Sequence, residues 1–193
     1  MVSQAAASQA FTLQPFHAAT ACQQGIRIAG WLERCGDTLT LEFQLAGSVP
    51  ADGPQANDGI LWPAQGGEPQ RRDELWQHTC LEWFLARPQQ EAYWEFNLSP
   101  NGDWNVYLLD GYRRGLRPDS QYSALPVRTS PGERSTSFTV TAPLPAPLAA
   151  AQPLELAVTA VVEQRSGAIS YWALHHGGTE ADFHRRDGFL LRI

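Results

Sequence analysis

The feature that most constrains this chain is hydrophobic alternation with a period of two. Leu39, Leu41, Phe43 and Leu45 alternate with Thr38, Thr40, Glu42 and Gln44, and just before them Ile26, Ile28 and Leu32 keep the same rhythm against Arg27 and Glu33. Successive side chains on a strand point to opposite faces, so this pattern buries one face and leaves the other polar; a helix, with its 3.6-residue period, would smear it around its circumference. Cys35-Gly36-Asp37 between the two runs predicts the turn of a β-hairpin.

The same signal recurs along the chain. Strands are predicted over residues 79–86, 92–98 and 104–109, the last two joined by Ser99-Pro100-Asn101-Gly102-Asp103, a strong turn sequence. They return at 135–142, 154–163, 168–174 and 189–193, with Pro143, Pro145 and Pro147 forbidding regular sheet between the first two. Residues 47–72, rich in Gly, Pro, Gln and Asp, form a long surface loop interrupted by Ile60-Leu61-Trp62, and residues 111–131 are loop-like. There is no convincing amphipathic helix. About ten short strands without alternating helices predict an all-β fold, an antiparallel β-sandwich, with a closed barrel as the second choice. The chain is one domain over residues 1–193, with 1–24 as a loosely attached N-terminal segment. Phe138, Val140, Leu156, Val158 and Leu191 occupy the apolar phase of their strands and are expected in the core.

Composition excludes several classes of function. No apolar run approaches the ~20 residues of a membrane-spanning helix. The formal net charge is -6 and all basic residues are arginine, which argues against binding a nucleic-acid backbone. Cys22, Cys35 and Cys80 are odd in number and lack C-x-x-C spacing, so neither a disulfide framework nor a zinc site follows; Cys80 reads as a buried small hydrophobe. The first residues show neither a basic n-region nor a continuous apolar stretch, so no signal peptide is predicted and the expected location is the cytoplasm.

Catalytic motifs are missing: the chain has no G-x-S-x-G, H-E-x-x-H, P-loop or G-x-G-x-x-G. Glu82 and Glu95 could form a glycosidase acid/base pair, but outward acidic positions on strands more often face solvent or accept hydrogen bonds from a ligand. The expectation is therefore a protein that is not an enzyme. A haem site would have to use histidine alone, since the only methionine is Met1, and the adjacent His175 and His176 would point to opposite faces of a strand. Asp73, Glu74, Asp182 and Asp187 do not form a calcium loop of recognisable spacing. Arg113, Arg114, Arg117 and Arg128 are expected to pair with acidic residues.

The densest stretch runs from Leu75 to Leu85. Leu81, Trp83 and Leu85 share one strand face, leaving Glu82 and Phe84 on the other; in the next strand Tyr93, Glu95 and Asn97 oppose Trp94, Phe96 and Leu98. A glutamate on an aromatic face needs a partner or a ligand. Trp83 and Trp94, beside Leu and Phe, read as core.

Three motifs in order carry a resemblance: Trp76-x(5)-Glu82-Trp83-Phe84, the hairpin Glu95-Phe96-Asn97-Leu98-Ser99-Pro100-Asn101-Gly102, and the closing Asp182-Phe183-His184 with Gly188-Phe189. Over residues 38–193 the chain resembles a DOMON-like domain, of the group related to family 9 carbohydrate-binding modules. The resemblance implies a jelly-roll-like sandwich and a non-catalytic ligand-binding role, with a saccharide first and haem or another redox cofactor as the alternative. It implies that Trp76 and Trp172 clamp a sugar ring, Glu82 accepts hydrogen bonds from its hydroxyls and Asn97 supplies a strand amide. His175 and His176, beside Gly177-Gly178, would border the same pocket or form a solvated turn. The chain departs at Glu95, where sugar-binding relatives can carry a basic residue, and the Met and His ligands of haem-binding relatives have no counterpart. No metal ligand is assigned, although the resemblance would allow a structural calcium. The expected partner is a small saccharide, with no nucleic acid and no membrane.

Overall fold

The computed structural model describes residues 7–17, 25–47, 59–64, 67–132, 135–150 and 153–193; Cys22 lies outside them. They form two antiparallel sheets packed face to face. The smaller has the order β1 (Ala7–Thr12), β3 (Arg27–Cys35), β4 (Thr38–Ala46), β10 (Ser135–Pro143) and β9 (Val127–Pro131). The larger has the order β2 (Gln14–Pro15), β12 (Ile169–Ala173), β11 (Glu155–Glu163), β5 (Cys80–Ala86), β6 (Tyr93–Leu98), β7 (Trp104–Leu109) and β8 (Arg117–Pro118). A two-residue strand β13 (Leu191–Arg192) pairs with the start of β11. The only described α-helix is one turn, α1 (Ala146–Ala149), placed where the prolines interrupt the sheet. The fold is therefore the predicted antiparallel β-sandwich, with thirteen described strands rather than about ten.

The β3–β4 hairpin forms as the alternation requires, turning at Gly36, whose φ of +63° suits glycine. Ile28, Leu32, Leu39, Leu41, Phe43 and Leu45 all point into the sandwich, as do Phe138, Val140, Leu156 and Val158. Leu191 is only half-buried, because β13 is a short edge. Cys80 is fully buried and Cys35 exposed, both as free thiols.

Two corrections concern segments read as irregular. The N-terminal segment, expected to be loose, contributes β1, which pairs residue for residue with β3 from Ala7↔Arg34 to Thr12↔Ala29. Phe11 and Leu13 are buried, and Phe11 packs edge-on against Phe43 at 5.6 Å. Gly30 makes this possible: a side chain there would strike the Glu42 carbonyl and the Phe11 ring. The region 111–131 likewise contains β8 and β9. Both were hidden by polar composition, and both are edge strands, where one half of the backbone pairing is open to solvent.

The larger sheet is buried on both faces. Its inner face meets the smaller sheet. Its outer face carries a second apolar cluster of Phe84, Ala86, Tyr93, Tyr107, Leu109, Ala157 and Phe189, with Trp76 and Phe183 packed against it. Those last two come from segments laid over the sheet: a 3-10 turn at Leu75–Gln77 and the stretch between β12 and β13.

Candidate functional site

Sheet pairing determines which residues meet on the outer face. Glu82 on β5 lies opposite Asn97 on β6, and Glu95 follows two residues away on the same face, so the two glutamates are diagonal neighbours. On the far side of β5, Thr159 of β11 is opposite Glu82, and Val161 of β11 pairs with Tyr171 of β12. A cavity of about 320 Å³ opens over this row, with Glu82, Glu95, Val161 and Leu109 at its base. Its sides are Trp76 from the 3-10 turn, Tyr171 from β12, Arg113 from the loop after β7, and Phe183 and His184 from the covering stretch. Tyr171 and Phe183 meet edge-on at 6.1 Å, and Trp76 meets Tyr107 at 6.0 Å.

The carboxylates face away from the sandwich but not toward solvent. Glu82 is 2% exposed and Glu95 4%. One oxygen of each has a partner: Thr159 Oγ1 donates to Glu82 Oε2 at 3.3 Å, and Asn97 Nδ2 donates to Glu95 Oε1 at 2.8 Å. Glu82 Oε1 and Glu95 Oε2 have none. Burial, reinforced by the nearby Glu95 charge, holds the Glu82 carboxyl well above the usual range. Burial also pushes Glu95 up to about 7, against the opposing pull of Asn97 and Arg113. The thiol of Cys80, beside them on β5, is driven up by burial and then by the Glu82 charge.

The rim is organised around His184. Its Nδ1 is 2.7 Å from the Tyr93 hydroxyl, and its backbone N–H donates to Asp182 Oδ1. Burial and the Arg113 charge push this imidazole down to about 4, so it is neutral at pH 7. Arg113 donates to Asp182 Oδ1 at 2.9 Å, and Tyr112 Oη donates to Asp182 Oδ2 at 2.6 Å.

Of the residues singled out from sequence, Trp76 and Glu82 line this cavity. Asn97, fully buried, is not among the lining residues but orients Glu95 through its amide. Trp172 is elsewhere. It lies in the sandwich core, 3% exposed, with its indole N–H donating to Ser170 Oγ at 2.9 Å. Alternation explains the correction: adjacent strand residues face opposite ways, and here Tyr171 takes the outer face. His175 is exposed and does not line the cavity, because the chain leaves β12 at Ala173. Glu95, Arg113, Tyr171, Phe183 and His184 complete the site. The signal for Glu95 was its shared strand phase with Asn97, one residue pair from Glu82. Phe183 and His184 belonged to a quoted motif, but no local pattern placed that segment over the sheet.

Three of the four candidate calcium ligands have protein partners. Asp73 accepts from Tyr107 and Asn105, Asp182 pairs with Arg113, and Asp187 pairs with Arg185. Of the loop arginines, Arg113, Arg114 and Arg117 pair with Asp182, Glu91 and Asp110.

No protein-family model matches the chain, and no curated protein matches it by sequence. Solved structures do match. The chain superposes on a protein described as a "putative carbohydrate-binding protein" from Bacteroides uniformis ATCC 8492 with a TM-score of 0.68 and 12% identity, over 94% of this chain and 84% of that one. A carbohydrate-binding module of family 9 from Caldicellulosiruptor kristjanssonii, in complex with cellotriose, superposes with a TM-score of 0.51 and 10% identity, over 89% and 74%. At such identities the likeness is one of fold: this chain has the β-sandwich architecture found in these carbohydrate-binding structures.

Proposed function

We propose that the chain is a non-catalytic saccharide-binding domain whose ligand occupies the cavity on the outer face of the larger sheet. The observation that carries this reading is the pairing of aromatic walls with two buried carboxylates, each with an oxygen lacking a partner. Sugar rings offer apolar C–H faces to aromatic rings and hydroxyl donors to carboxylates. A buried acceptor with no partner costs roughly 1–3 kcal/mol, which a ligand hydroxyl would recover. A cavity of about 320 Å³ falls at the lower end of the ~300–1,000 Å³ typical of small-molecule sites, which suits one or two sugar rings. The clamp in this reading is Trp76 with Tyr171 and Phe183.

Catalysis by the two glutamates is disfavoured by their electrostatics. A glycosidase separates its carboxyl groups into one acid and one ionised base. Here both are shifted in the same direction by the same burial.

The test is titration calorimetry with glucose, cellobiose and cellotriose, repeated on Trp76→Ala. Saturable binding that weakens about 5- to 100-fold in the variant supports the assignment. Absence of heat with all three sugars, and with an amino sugar, at millimolar concentration overturns it.

A haem reading has one observation in its favour, a neutral histidine on the cavity wall. The fit is poor: His184 is the only histidine among the lining residues, and none of them is a methionine or a cysteine. A Soret band in the purified protein, abolished in His184→Ala, would establish it.

A further inference from the structure

The base of the cavity carries two carboxyl groups that no cation among the described residues pairs with, and burial keeps them from ionising freely. Glu82 and Glu95 sit diagonally on adjacent strands and line the cavity, almost wholly buried, each with one oxygen that has no partner. The groups facing them supply no free cation. From β5 and β6 come Cys80, Tyr93 and Asn97; from β11, Thr159; from β7, Tyr107, which donates to Asp73. The loop after β7 brings Arg113, already paired with Asp182, and the covering stretch brings His184, which is neutral. The sequence contains no lysine. Among the described residues no ion pair reaches either glutamate, so the pair must hold a proton or receive a cation from outside.

We propose that the ligand is a saccharide bearing a free primary amine, its ammonium received between Glu82 and Glu95 while a ring face lies along Trp76 and Tyr171. This rests on the saccharide reading above and narrows it. An ammonium has three donors, no acceptor and a positive charge, which matches two orphaned acceptor oxygens of a pair that can ionise; a hydroxyl has one donor, reaches one of those oxygens and compensates no charge. The aromatic walls favour the same ligand, because ring faces attract cations. Cation binding also offsets the desolvation that now suppresses ionisation of the pair, so the site should take up the amine more tightly as the glutamates lose their protons.

Three sugars with one ring and one variable substituent test this: glucosamine, glucose and N-acetylglucosamine, each titrated calorimetrically at about pH 7. Glucosamine is expected to bind roughly 10- to 100-fold more tightly than the other two, the increment of a hydrogen bond to a charged group. That preference should shrink toward unity in Glu95→Gln, and also when the pH is lowered from about 7 to about 5, as the carboxyl shifted to about 7 takes up its proton. Glucose binding as tightly as glucosamine, or N-acetylglucosamine binding most tightly, overturns the amine while leaving the saccharide reading in place. Failure of all three sugars and of cellotriose overturns both. The wild-type comparison needs no variant, so it decides the matter even if Glu95→Gln does not fold.

Discussion

The two faces of the larger sheet are buried to the same depth and built for different ends. On the inner face Leu81, Trp83 and Leu85 of β5 meet Leu98, Phe96 and Trp94 of β6, and Trp83 stacks on Phe96 at 4.8 Å with the planes 12° apart. On the outer face the same strands present Cys80, Glu82 and Phe84 beside Tyr93, Glu95 and Asn97, all buried. The inner face is filled by apolar packing, and two of its indole N–H groups have partners: Trp94 donates to Asp119 and Trp172 to Ser170. The outer face is close-packed at one end, around Phe84 and Phe189, and at the other leaves a cavity with two orphaned acceptors. Depth of burial therefore does not separate scaffold from site. What separates them is whether every buried polar atom has been given a partner.

Substitutions can break or sharpen this contrast. The largest effect is expected at Trp172, which belongs to the inner face. Trp172→Ala should cost ~3–5 kcal/mol in urea unfolding, by loss of core packing and of the bond to Ser170. A loss below ~1 kcal/mol would move Trp172 out of the core.

Next comes the pH dependence of stability, which only the outer face should produce. Glu95 titrates near 7 when folded and near 4.5 when unfolded, so between these values the folded state holds a proton that the unfolded state has released. Stability from this group is complete below about pH 4.5 and is lost as pH rises through about 7, on the order of 3 kcal/mol in all. His184, neutral when folded down to about 4, gives the opposite slope between about 4 and 6.5, its folded form losing stability as pH falls. The clean measurement is therefore the difference between Glu95→Gln and wild type across about pH 4.5–8. The variant should gain on wild type as pH rises from about 4.5 to about 7 and level off above that. A flat difference would mean that Glu95 is solvated.

Trp76→Ala should invert the behaviour of Trp172→Ala, weakening saccharide binding by ~1–3 kcal/mol while changing stability by less than ~1 kcal/mol. The smallest effect belongs to Tyr171, 41% exposed at the rim. Tyr171→Ala should change stability by no more than ~0.5 kcal/mol and reduce binding by about 1 kcal/mol. Equal binding losses at positions 171 and 172, with equal stability, would erase the distinction between the faces.

Much of this was legible in the chain as written. Alternation assigned β3, β4, β5, β6 and β10 their phases, and it set Glu82 apart from Leu81 and Trp83 and put Glu95 with Asn97; the β5–β6 register then brought the three together. It could not say that this face would also be covered. Strands buried on both sides lose the polar–apolar contrast that reveals a sheet's orientation, and β5 reads CLEWFLA, apolar in both phases but for Glu82. The same limit explains the choice of Trp172 over Tyr171: in ISYWA the alternation offers both aromatics, and only the packing of the covering stretch shows which one faces the cavity. β1 escaped because ASQAFT has one large apolar residue, and its place depends on Gly30, eighteen positions away from Thr12.

The Leu75–Gln77 turn that carries Trp76 is entered through Glu74, a non-glycine residue at φ 59°. Its aim is thus set by a few backbone torsions, whereas the glutamates are anchored in the hydrogen-bonded lattice of the sheet. The acidic base and the aromatic wall are consequently separable parts for an engineer. Exchanging residues 74–77 for loops of other lengths would retarget the shape of the ligand accepted while leaving the charge demand untouched, with Asp73 kept to accept from Tyr107 and Asn105 so that the sandwich beneath folds as before.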